Sequence, residues 1–152
     1  MRALMVAGML LVASQAAADG FGVTVKKFVT TVVARPEFGL KDRGCEPEYC
    51  SVSDESEKRR LYIRRDRKNV VTQVLFELPL PASAWSDSAS ILDLVQFGLS
   101  VPPLGRIAGA EITRMAKTLA GAGVSIRGPE IICSAMVAKN KPDTILGACN
   151  PD

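Results

Sequence analysis

Residues 58–68 (Lys-Arg-Arg-Leu-Tyr-Ile-Arg-Arg-Asp-Arg-Lys) put seven cations into eleven positions. An arginine guanidinium is a rigid fork that grips phosphate or carboxylate through paired hydrogen bonds. Successive side chains on a strand point to opposite faces, so Arg60, Tyr62 and Arg64 would share one face and Leu61 and Ile63 the other. Arg65, Arg67 and Lys68 would cluster at the turn that follows. The expected chemistry is docking of an anionic partner, a protein or an anionic component of the cell envelope, on a basic β-hairpin. A plainer use of the same charges is to stop a strand from pairing with other chains. Asp54, Glu55 and Glu57, just upstream, offset part of the charge. No stacking platform or DNA-binding motif accompanies the arginines, so specific nucleic-acid recognition is not expected.

The second set of reactive side chains is Cys45, Cys50, Cys133 and Cys149. An even number in a small exported domain reads as disulfides, and four cysteines allow three pairings. The favoured pairs are Cys45–Cys50, around a loop turned by Pro47, and Cys133–Cys149, around the turn signal Lys141-Pro142-Asp143. A four-thiolate zinc site would need two closely spaced pairs, and Cys133 and Cys149 are too far apart to form one. C-x4-C is also not the C-x-x-C of thiol oxidoreductases. No metal and no cofactor is expected.

Histidine is absent from the chain. That removes Ser-His-Asp and Cys-His catalysis, His-ligated zinc and imidazole pH switching. No phosphate-binding loop, dinucleotide fingerprint, S-x-x-K or G-x-S-x-G motif is present. The leading expectation is therefore a non-catalytic binding protein. Two alternatives stand beside it. One is a small carboxylate-dependent hydrolase, which requires at least two of Glu46, Glu48, Glu77 and Glu130 to converge in a cleft. The other is an inhibitor or immunity-type protein that inserts its Cys45–Cys50 loop into a target. Trp85, the single tryptophan, is expected to pack on the helix it precedes.

These residues need an address and a scaffold. Arg2, an apolar run from residue 3 to 13 and the closing Ala16-Ala17-Ala18 form the three-part pattern of a secretory signal peptide over residues 1–18. The run is too short to span a bilayer. The expected mature chain is one α+β domain over residues 19–152, periplasmic or secreted, with 18 basic and 16 acidic residues once Arg2 is removed. No transmembrane segment is expected after cleavage.

The scaffold reads as β-β-β-α-α-β-β. Residues 21–33 are rich in Val, Thr and Phe and read as a long strand, with Phe21, Val23, Val25, Val29, Thr31 and Val33 on one face. Residues 37–56 read as a stapled loop. Residues 59–65 and 70–78 alternate around Asp66-Arg67-Lys68-Asn69 and read as a hairpin. A helix starting at Ser86 or Asp87 carries Ile91, Leu92, Val95 and Leu99. A second, over residues 105–120, carries Ile107, Ile112, Met115 and Leu119. Residues 124–127 and 130–138 read as strands, with a short last element near residues 144–146. The expected fold is an antiparallel sheet of about five strands with two helices packed on one face, stapled by disulfides.

Overall fold

In the computed structural model of the chain, the described residues are 20–79, 84–102, 123–138 and 140–152. The expected signal peptide and the expected helix over residues 105–120 lie outside them. Trp85 falls inside a helix, and its side-chain surroundings lie outside the description as well.

The first element overturns its strand reading. Residues Val25–Val33 form helix α1, capped by Thr24, whose hydroxyl accepts from the Lys27 amide at 3.3 Å. Val25, Phe28, Val29 and Val32 are buried at helical spacing, while the adjacent Lys26 and Lys27 both stay in solvent. A strand would have forced one of those lysines onto the apolar face. The 37–56 loop is also corrected. After a 3-10 turn at Pro36–Phe38, it contains β1 (Lys41–Cys45) and β2 (Tyr49–Ser53). Then follow β3 (Arg60–Arg65), β4 (Val71–Pro79) and helix α2 (Ala84–Leu99). Strands β5 (Val124–Arg127), β6 (Ile131–Ala138) and β7 (Lys141–Pro151) end the chain. The expected short element near residues 144–146 is thus an eleven-residue strand. Its entry turn comes before Lys141 and not at Lys141-Pro142-Asp143.

The sheet has seven strands in the order β1-β2-β3-β4-β7-β6-β5, each pair antiparallel. Both the count and the element order differ from the expected five-stranded arrangement. Two meanders, β1 to β4 and β5 to β7, meet where β4 pairs with β7.

Alternation then decides which side chains go inward. Cys50, Val52, Leu61, Ile63, Val74, Phe76, Leu78, Ile145 and Cys149 join Phe28 and Val32 of α1 and Ile91, Leu92, Val95 and Leu99 of α2 in one core cluster. Each such fully buried side chain contributes roughly 1.5–3 kcal/mol of transfer free energy. The helices approach closely at Gly98, where a β-carbon would sit 2.7 Å from the Phe28 ring. Gly147 has the same role in the sheet. It lies opposite Phe76, whose ring occupies the space a side chain at 147 would need. Helix α2 ends with Ser100 at φ 58°, the Val101 amide bonding the Gln96 carbonyl at 3.1 Å.

Candidate functional site

Strand β3 distributes the basic run over both sides of the sheet. Leu61 and Ile63 enter the core, and Arg60, Tyr62 and Arg64 fall on the face opposite the helix-side core. Arg60 is held in place: Nη2 meets Glu57 Oε2 at 2.8 Å, Nε donates to the Glu57 carbonyl at 2.7 Å, and Nη1 donates to the Tyr62 hydroxyl at 3.4 Å. The Tyr62 hydrogen bond is the main influence that raises the Arg60 pKa, so the group keeps its charge. The Tyr62 ring in turn meets Tyr49 of β2 edge to face, centroids 5.4 Å apart and planes at 85°.

Arg64 completes this array on different terms. It lies opposite Tyr49 on β2 and Gln73 on β4 and is exposed. Gln73 is engaged elsewhere, donating to Asn150 Oδ1 at 2.7 Å. Among the described residues, no hydrogen bond or ion pair holds the Arg64 side chain. The result is one anchored cation and one available cation on either side of a tyrosine, with a second tyrosine alongside.

The other three residues lie at the turn, where the sequence reading puts them. The register shifts between Arg64 and Arg65, and Arg65 pairs with Val71, a core position. Its Nη1 donates to Asn69 Oδ1 at 2.6 Å and its Nη2 to the Glu46 carbonyl at 3.4 Å, tying the tips of two hairpins together. Arg65 is thus a structural brace. Arg67 and Lys68 are exposed on the turn, which Asp66 shapes by accepting from the Lys68 and Val70 amides at 2.8 and 2.9 Å. The six residues fall in two places, the open face of β3 and the turn that follows it. Tyr49, which completes the array, was not among the expected site residues. Its place beside Tyr62 depends on the β2–β3 pairing, which no local pattern announces.

The four carboxylates of the hydrolase alternative fall in three separate places. Glu46 and Glu48 are exposed at the β1–β2 tip, and Glu77 lies four positions along β4 from the Tyr49–Arg64–Gln73 end. That separation is about 13 Å at strand rise. Glu130 occupies the β5–β6 turn, in the other meander. No group of three or more acid, cysteine or histidine side chains gathers among the described residues.

Cys45 is joined to Cys50 across β1–β2, and Cys133 to Cys149 across β6–β7, in each case between directly opposed residues. The first pair closes a hairpin tip, with Cys45 exposed and Cys50 buried in the core. The second lies inside the core, its cysteines 1% and 0% exposed. No helix among the described residues is long and apolar enough to cross a membrane. Comparison with protein-family models, curated proteins and solved structures gave no match.

Proposed function

We propose that the protein is an exported, non-catalytic binding protein that contacts an anionic partner of the cell envelope or extracellular space through the open face of β2 and β3. The observation that carries this reading is the unengaged Arg64 guanidinium beside the Tyr49–Tyr62 pair, with Arg60 anchored on the far side of Tyr62. Structural arginines in this chain make bonds: Arg65 braces two hairpins, and Arg43 donates to Ser53 Oγ and the Asp54 carbonyl, both at 2.8 Å. Arg64 does not. An exposed guanidinium is suited to bidentate capture of an anion. Two disulfides fit an oxidising compartment, and the leader-like residues 1–18 fit export.

Heparin, a sulfated polyanion, serves as the test probe. The mature, oxidised chain should be retained on immobilised heparin and elute with salt, and R60Q/R64Q should elute at clearly lower salt. K26Q/K27Q, which removes the same two charges from the exposed side of α1, is the control for net charge. Equal elution of R60Q/R64Q and K26Q/K27Q would reduce the effect to overall charge and end this reading.

A further inference from the structure

The register gathers charged side chains on the helix side of the sheet. Asp42 lies opposite Val52, Cys45 opposite Cys50 and Arg65 opposite Val71, and all three partners are core positions. Directly opposed residues point to the same face, so Asp42, Cys45 and Arg65 stand on the side that the helices cover. Helix α1 packs against β1 and β2 there, and its first turn brings Lys26 to the same place. These side chains line a cleft of about 440 Å³, to which the buried Val25 and Val29 add an apolar wall. Sites for small molecules typically fall at about 300–1,000 Å³.

Among the described residues, none of the three charges meets a counter-charge. The Arg65 bonds to Asn69 Oδ1 and the Glu46 carbonyl use two of the five guanidinium donors, and both acceptors are neutral. Asp42 Oδ1 accepts from the Gly44 amide at 2.8 Å, also a neutral partner. No described residue holds the exposed Lys26 ammonium. The cleft therefore offers two cations, one carboxylate and an apolar wall. We propose that it binds a free acidic α-amino acid of the glutamate type. The two carboxylates sit at Lys26 and Arg65, the ammonium at Asp42, and the methylenes against Val25 and Val29. The charge count selects this occupant. A plain dicarboxylate leaves Asp42 without a partner, and a neutral amino acid leaves one cation without a partner. A polyanion meets Asp42 as a like charge. The site lies across the sheet from Arg60, Tyr62 and Arg64, and it stands apart from the anion-docking face.

The probes are glutamate, glutarate, which lacks the ammonium, and norvaline, whose side chain ends in a methyl group where glutamate has a carboxylate. NMR titration of the mature, oxidised chain should give saturable amide shifts around Lys26, Asp42 and Arg65. Glutamate should bind about fivefold tighter than either analogue, the upper range for one ion pair at an exposed site. Asp42→Asn keeps an acceptor for the Gly44 amide and loses the charge. It should weaken glutamate about fivefold and abolish its preference over glutarate. Lys26→Gln, at an exposed position, should weaken glutamate to the same extent and abolish its preference over norvaline. A purely structural role for either residue weakens all three probes alike, and that result overturns the proposal. So do equal wild-type affinities for the three probes, or shifts centred away from the cleft. Absence of saturable glutamate binding below about 10 mM overturns it as well. Circular dichroism and disulfide count are the fold controls, and the wild-type comparison of the three probes decides alone if a variant fails to fold.

Discussion

The two meanders that meet at β4 and β7 share a core but finish their outer faces in different ways. In the β1–β4 half, long polar side chains hold one another: Arg43 with Ser53, Arg60 with Glu57 and Tyr62, and Tyr62 with Tyr49. In the β5–β7 half, the same face carries Ser125, Ser134, Ala148 and the exposed Met136 and Leu146. The disulfides follow the same division. The polar half has its staple at a hairpin tip with one cysteine, Cys45, in solvent, and the sparsely dressed half has both cysteines of its staple in the core. A meander whose outer face contributes few contacts depends more on what lies inside it.

Removing each staple in turn tests that dependence, and it should produce the largest effect. Cys133→Ala/Cys149→Ala opens a link between residues 16 apart, worth about 3 kcal/mol in the chain-entropy picture, and leaves cavities in the core in addition. Cys45→Ala/Cys50→Ala opens a link between residues five apart, worth roughly 2 kcal/mol, and empties one buried position, Cys50, where the first pair empties two. Urea midpoints should fall further for the Cys133/Cys149 pair. The contrast between the halves collapses if the β1–β2 staple proves the costlier one to lose.

Gly147→Ala should come next. A β-carbon there enters the space of the Phe76 ring, at the seam where the meanders pair. Overpacking of this kind costs about 1–3 kcal/mol. Phe76→Leu in the same chain should recover part of that loss in a double-mutant cycle. Simple additivity of the two changes would mean that the seam is not packed around this contact.

The same glycine explains part of what the sequence conceals. β7 places Ile145, Gly147 and Cys149 toward the core, and the glycine breaks the apolar alternation because its partner supplies the bulk. The eleven-residue strand therefore reads as a fragment. β1 (Lys-Asp-Arg-Gly-Cys) is exposed throughout and has no apolar pattern to detect. Helix α1 is rich in Val and Thr, which favour strands, and only the Thr24 cap and the paired lysines argue otherwise. The β3–β4 hairpin was legible because one face is buried and the period is two. For the same reason, the shared face of Arg60, Tyr62 and Arg64 could be read directly. Alternation also takes Arg65 off that face, but its bonds to Asn69 and to the Glu46 carbonyl could not be read, because the second joins two hairpins far apart in sequence.

A turn in the polar half ranks third. Asp54 accepts from the Ser56 hydroxyl and from the Lys58 and Arg59 amides at 3.0–3.3 Å. Asp54→Ala should cost about 1 kcal/mol, the usual value for loss of a carboxylate that caps backbone amides. Thermal unfolding checks it. A loss matching that of Gly147→Ala would show that turns, and not the seam, limit stability.

The smallest stability effect is expected at Arg64, the residue proposed to contact an anion. Arg64→Gln removes a guanidinium that no described residue engages, so unfolding free energy should move by less than about 0.5 kcal/mol. Arg65→Gln, one position on, cuts the bonds to Asn69 and Glu46 and should cost about 1 kcal/mol. Denaturant titration of the two variants compares two neighbouring arginines of one strand under identical conditions. A neutral Arg64→Gln with weakened heparin retention assigns that charge to contact with a partner. If Arg64→Gln destabilises as much as Arg65→Gln, the charge belongs to the scaffold, and the polar half has no unengaged cation on its open face.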